Sequence, residues 1–471
     1  MKKIILLVIA SIYMASNVMG QGYKLEVNIN NARDSMLLLA IYGGENKYVR
    51  DTSFMDSNGK AVFAKDKPLD EGIYIIAMGG TQLFDFIISD SQNQQFAVTT
   101  TKDDYINTLH FQNSIENEEF AEFNRYMGTQ QKRENALREK IMKNPTDKKI
   151  KEEVENEDRA IREDYHSYVE KIAQKFPGTL LTSLAKAMDK PQTPKFDIDE
   201  SNPKYDSIYT MQYYLFTKQH FFDNYDFTDK RLINTPVFIP SLNYYLDKIL
   251  VQLPDSIIPM VDTIIQKTQP NQEMKRYVTG YIFNKYLASD IMGMESIVIH
   301  LIDNYYLKDE IGGQDSTFMI EIKHYADRNR ATLIGKQAAN IKMQSLSGQY
   351  ESVYGIEAPY TLVYFYEPSC GTCKKETPKI YKVYQKYRDK GLQVMAVYTQ
   401  QNKEEWMSYV AEYGLDWINV WDPRNDNDFR IKYTIYSVPQ VFLLDGNKKI
   451  IGRRLNSEGL DKILSNLLKN K

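Results

Sequence analysis

The hydrophobic period of this chain changes twice, and that change limits what it can fold into. From residue 21 to about 105, Tyr23, Leu25, Val27 and Ile29 alternate with Lys24, Glu26 and Asn28. A period of two is the mark of a half-buried strand. Further apolar runs at 36–42, 72–78, 84–88 and 96–100 are separated by turn signals such as Asp56-Ser57-Asn58-Gly59. Short strands with turns between them predict a small all-β sandwich. Near Asn113 the spacing lengthens. Phe120, Phe123, Met127, Leu137 and Ile141 share a helical face, Asn144-Pro145-Thr146-Asp147 interrupts it, and Ile150, Val154, Ile161, Tyr165, Tyr168 and Ile172 carry the next. This predicts a helical hairpin closed by Pro177-Gly178, then more helices at 206–222, 240–253 and 273–287. The charged residues between the apolar ones read as solvated faces.

In the last 135 or so residues strand and helix alternate: strands at 361–366 and 393–398, helices at 371–387 and 403–413, late strands at 441–444 and 449–453, and a closing helix at 458–467. Such alternation predicts a βαβ core. The expected organisation is a leader over 1–20, a β-sandwich over 21–105, an all-α domain over 106–333, and an α/β domain over 334–471.

The leader has three parts. Lys2 and Lys3 precede a 12-residue apolar run, 4–15, and small or polar residues follow to Gly20. This is the build of a secretory signal peptide, with cleavage expected between Gly20 and Gln21. The run is short for a membrane span, and no later segment offers about 18 uninterrupted apolar residues. No cysteine lies near the cleavage point, which excludes a lipid-modified N-terminus. The mature chain is therefore read as exported, with no stable membrane span after cleavage. Its formal charge moves from −3 to −5 on losing the two lysines, so no basic field points to nucleic acid.

Only two cysteines occur in 471 residues, Cys370 and Cys373, at the hand-over from a strand to its helix. A zinc site needs about four ligands. No other cysteine exists, and all five histidines (His110, His166, His220, His300, His324) lie before residue 330, scattered and read as structural. No metal or cofactor is implied. A staple over so short a loop gains little. Redox exchange is the remaining and strongest use of the pair. Free N–H groups at a helix start stabilise a thiolate. Cys370 should sit at that start, with Cys373 one turn further in and more buried.

The segment 334–471 resembles the thioredoxin superfamily, specifically the TlpA/ResA-like envelope thiol-disulfide oxidoreductases. The resemblance is carried by Leu362–Phe365, Cys370-Gly371-Thr372-Cys373, Lys374-Lys375-Glu376, Pro378, and Tyr436-Ser437-Val438-Pro439-Gln440 before an apolar strand. It implies a thioredoxin fold and an enzyme that exchanges disulfides with protein substrates in the periplasm, supplied by an upstream redox partner. It implies that Cys370 attacks, that Cys373 resolves, and that the two alternate between dithiol and disulfide. Pro439 would be cis and face the pair, with Ser437 and Val438 contacting substrate backbone. Glu376 would tune the sulfurs or move a proton, or else simply pair with Lys379. Two departures stand out: Tyr364 occupies the place of thioredoxin's buried aspartate, and Ser369 that of a frequent tryptophan. The order sandwich, helices, redoxin is similar to a group of exported multidomain redoxins. Two other functions stay open. A peroxiredoxin-like peroxidase wants threonine where Glu367 stands, and a non-catalytic binding protein would use the fold as a scaffold.

Overall fold

A computed structural model of the chain describes residues 22–33, 35–90, 94–199 and 201–469. The leader and the Gly20–Gln21 junction lie outside the described residues. The chain divides into two compact units, Met1–Leu250 and Val251–Lys471. That boundary falls inside the stretch expected to be one helical domain, 106–333. Around it Val251 and Leu253 are exposed.

In the first unit, eight strands form two four-stranded sheets: β1 (Tyr23–Asn30), β2 (Met36–Gly43), β3 (Asn46–Phe54), β4 (Lys60–Lys65), β5 (Gly72–Met78), β6 (Thr81–Ile88), β7 (Gln95–Thr101) and β8 (His110–Gln112). The orders are β4-β1-β7-β8 and β3-β2-β5-β6. Register places Leu25 opposite Phe63 on one side and Phe96 on the other. These side chains meet Leu39, Tyr74, Ile76 and Phe86 of the second sheet in one buried core. The turn after Met55 requires Gly59, whose φ is +82°, and a Cβ there would lie 2.3 Å from the Ile29 carbonyl oxygen.

Helices α1 (Ile115–Lys143) and α2 (Lys148–Lys175) form the expected hairpin. Asp147 starts the second by accepting the N–H groups of Lys149 and Ile150. Tyr126 stacks on Tyr168 across the pair at 4.2 Å. Asn117 on α1 accepts the Ile87 N–H at 2.6 Å and donates to the Ile87 carbonyl at 2.9 Å, which occupies part of the free edge of β6. Helices α3 (Leu180–Met188), α4 (Tyr205–His220) and α5 (Phe238–Tyr244) complete the unit. The helix expected over 240–253 instead widens to a π turn, Tyr245–Ile249, and ends at Leu250.

The second unit begins with helices α6 (Pro254–Lys267), α7 (Gln272–Leu287), α8 (Glu295–Leu301) and α9 (Ser316–Asn329). Strands β9 (Lys342–Ser345), β10 (Tyr350–Ser352), β11 (Tyr360–Tyr366), β12 (Leu392–Tyr398), β13 (Ile418–Trp421), β14 (Gln440–Asp445) and β15 (Ile450–Arg453) follow, with helices α10 (Gly371–Tyr387), α11 (Lys403–Tyr413), α12 (Phe429–Lys432) and α13 (Ser457–Lys469). The seven strands form one sheet in the order β10-β9-β13-β12-β11-β14-β15. Strand β11 is buried at every residue. Its alternate side chains feed two cores. Leu362, Tyr364 and Tyr366 join Cys373, Ile380 and Trp406 on one face, and Val363 and Phe365 join Met395, Tyr433 and Phe442 on the other. A sheet covered on both faces requires this continuous apolar run at its centre. Among the described residues no helix is long and apolar enough to cross a membrane.

Candidate active site

Strand β11 runs parallel to β12 and antiparallel to β14, with Phe365 opposite Gln440. That register brings the start of β14 beside the point where β11 ends and α10 begins. Cys370 is the N-cap of α10, and its sulfur accepts the Cys373 N–H at 3.3 Å. The helix mouth therefore points a free donor at that sulfur. From the other side the Cys370 thiol donates to the Val438 carbonyl at 3.4 Å. The Val438–Pro439 bond is cis. Sequence reading placed Cys370, Val438 and Pro439 together, and here they form one cluster. Ser437 is exposed at its edge.

Cys370 is partly accessible and Cys373 is buried, and both are free thiols. Cys373 is 0% exposed. Burial first, then its hydrogen bond with Cys370, pushes its thiol from 9.0 up to about 12. An N–H from Glu367 acts weakly the other way. Behind Cys373 stands a wall of tyrosines. Tyr364 stacks on Tyr366 at 5.3 Å, its hydroxyl meets the buried Thr377 hydroxyl at 2.8 Å, and the Tyr366 hydroxyl accepts from the Trp406 indole at 3.1 Å. Burial drives Tyr364 well above the ordinary tyrosine range, so this wall holds no charge at neutral pH.

Glu376 takes a different direction. Its carboxylate accepts from Lys379 at 2.9 Å and from the Ser457 N–H at the start of α13 at 3.0 Å. These partners hold its carboxyl below the usual glutamate value of 4.5, against the opposing effect of its burial. Of the two sequence expectations for Glu376, this geometry is the pairing with Lys379. Pro378 does not end the helix, which continues to Tyr387.

Sequence reasoning missed Thr377, Tyr366 and Trp406, which hydrogen-bond within the aromatic cluster that shares its core with Cys373. Only Tyr364 carried a signal, as the residue six places before Cys370. Glu367, three places before Cys370, accepts the Thr399 hydroxyl at 2.6 Å. Among the described residues no group of three or more His, Cys, Asp or Glu side chains is arranged to hold a metal ion.

Comparison with known proteins gives the following. Residues 334–453 match the AhpC/TSA family, and residues 200–326 match a domain of unknown function, DUF5106. Thiol-disulfide oxidoreductase ResA of Bacillus thuringiensis is 23% identical over 139 residues, covering 30% of this chain and 79% of that protein. ResA of Halalkalibacterium halodurans is 27% identical over 128 residues, covering 27% and 70%. A solved domain of a possible thiol-disulfide isomerase from Cytophaga hutchinsonii is 40% identical, covering 29% of this chain and 95% of that one, with a TM-score of 0.28.

Proposed function

From a chain whose residues 334–453 form a thioredoxin-like domain of the AhpC/TSA family, related to the thiol-disulfide oxidoreductases, we propose an exported enzyme that exchanges disulfides with protein substrates through Cys370 and Cys373. The observation that carries this reading is the asymmetry of the pair. One sulfur is accessible, at a helix mouth and 3.4 Å from the Val438 carbonyl, and the other is sealed directly behind it.

The Cys370 thiolate attacks one sulfur of a substrate disulfide. A new S–S bond forms, the old one breaks, and the second substrate sulfur leaves as a thiolate. Cys373 then gives up its proton and attacks Cys370 in the mixed disulfide. This releases the first substrate sulfur as a thiol and leaves Cys370 and Cys373 joined. The protein is oxidised by two electrons and the substrate reduced by two. An upstream thiol partner returns the pair to its reduced form, or the cycle runs in reverse. Ser437 and Val438 offer backbone to the substrate segment. Glu376 acts as a positioning residue that ties the active-site helix α10 to α13.

The test is a trap. Cys373→Ser in the full chain, expressed with its leader in a cell with an oxidising envelope, should accumulate envelope proteins disulfide-linked through Cys370. Retention of the chain in the cytoplasm refutes the export reading. Export with no reducible adducts refutes the exchange mechanism. Peroxide consumption by the reduced protein without a disulfide substrate would favour the peroxidase instead.

A further inference from the structure

We propose that a groove leading from Ser437 to helix α9 is a subsite for an acidic side chain of the substrate polypeptide, read chiefly by Arg328. The inference rests on the exchange function above and names the kind of segment that site takes. The groove encloses about 380 Å³, and Tyr325 and Arg328 of α9 face Tyr436, Ser437 and Gln440 across it, with Arg454 also at its wall. Ser437 immediately precedes Val438, whose carbonyl touches the Cys370 sulfur. The groove wall thus ends one residue short of the backbone that meets Cys370.

Arg328 is exposed, and its guanidinium lies 4.9 Å over the ring of Tyr436, itself 67% exposed. Stacking fixes the plane of the guanidinium and leaves its edge donors free for a carboxylate. The Thr434 hydroxyl donates to the Arg328 backbone carbonyl, so the same loop that offers Ser437 also anchors the arginine. Among the described residues Arg328 has no carboxylate partner. Arg454 shares Glu295 with the buried Arg453, at 3.5 and 3.8 Å, so one carboxylate answers two cations. Nearby Asp327 is committed to Lys323 and Arg330. Glu321 is the one opposing charge on the groove wall, and it disfavours an acid at its own end. The balance is a positive excess centred between Arg328 and Arg454.

The occupant is an extended segment of a protein substrate, with its cysteine at Cys370 and its chain running past Ser437. An extended chain advances about 3.3 Å per residue. Tyr436 and Thr434 stand two and four residues before Val438. An acidic residue about two to four positions from the substrate cysteine therefore reaches Arg328.

The experiment uses the full chain, reduced beforehand, and two peptides whose single cysteine carries a 2-nitro-5-thiobenzoate disulfide. They are identical except for Glu or Lys three positions from the cysteine. Release of the coloured thiolate in a single turnover gives a second-order rate for each. An exposed pair of this kind is worth about two- to fivefold, so the Glu:Lys rate ratio should lie in that range and shrink with added salt. In Arg328→Glu the ratio should fall to about one or invert. The ratio compares two substrates on one protein, so a general loss of activity does not alter its meaning. A wild-type ratio of one or below, or a ratio unchanged in Arg328→Glu, overturns the subsite. A wild-type protein that releases no thiolate from either peptide overturns the exchange function, and the subsite with it.

Discussion

In the exchange proposed above, the buried position of Cys373 sets the pace of the second chemical step. Its thiol is held near 12 rather than 9.0, chiefly by burial. At pH 7 the thiolate fraction is then about 10⁻⁵ instead of about 10⁻². A more basic thiolate is a better nucleophile, and a Brønsted slope of about 0.4–0.5 returns roughly 20-fold. About 50-fold remains as the cost of burial, which the proximity of the two sulfurs must offset. The Cys370 contribution to the shift ends once that sulfur is bonded, while burial persists. Decay of the mixed disulfide should therefore quicken about tenfold per pH unit from pH 6 to 9, because the reactive thiolate is scarce throughout. Rapid acid quenching after mixing reduced protein with a disulfide peptide, then mass analysis, counts the adduct directly. At pH 6 the adduct should accumulate, and at pH 9 it should be fleeting. A decay constant that stays flat over this range refutes the reasoning, because some group would then be taking the Cys373 proton in place of water.

The same shift has a stability consequence. The folded state prefers neutral Cys373, so its contribution is complete below the unfolded value near 9 and is lost as pH rises toward 12. The difference between wild type and Cys373→Ala in urea unfolding should therefore change by about 1.4 kcal/mol per pH unit there. Glu376→Gln removes a charge-assisted bond to Ser457 and the Lys379 pair, and should cost about 1 kcal/mol at pH 7. Because this carboxyl is held below 4.5 in the fold, its stabilisation is present above that value. The gap between wild type and variant should close as pH falls through the folded value, read by thermal melts. Arg453→Met leaves the Asn329 and Thr332 acceptors unpaired and should destabilise Val251–Lys471 by about 2 kcal/mol, seen as faster hydrogen exchange across β14 and β15. Arg453 is buried and bonds the Asn329 side chain at 3.0 Å and the Thr332 carbonyl at 3.2 Å.

Legibility in the sequence followed apolar content. Strand β11 was readable as an unbroken apolar run, and helix α11 because Trp406, Tyr409 and Val410 recur at helical spacing. Strand β3, with the sequence Asn-Lys-Tyr-Val-Arg-Asp-Thr-Ser-Phe, was not: most of it is exposed at a sheet edge, and there is no buried face to write a pattern. Strand β4 alternates, Ala61 and Phe63 inward, but over too few residues to stand out. The short strands β9 and β13 owe their places to each other, with Val420 opposite Ser345, a separation no local window contains, and β10 is only a three-residue edge strand beside β9. At the site, the C-x-x-C spacing and Val-Pro announced themselves. The tyrosine wall did not, because an aromatic in a central strand reads as ordinary core. Arg328 was invisible for a different reason. It is an exposed cation near a helix end until the fold brings Tyr436 beneath it.

The family likeness covers residues 334–453, yet the last strand of that stretch is not self-sufficient. Arg453 on β15 finds its hydrogen-bond acceptors at Asn329 and Thr332 and its counter-ion at Glu295, all upstream of residue 334. A truncation starting at 334 would remove both hydrogen-bond acceptors and the counter-ion of Arg453 and open it to water, whereas one starting at 251 would keep them. The helices before residue 334 thus supply contacts that the last strand of the family-matched stretch uses.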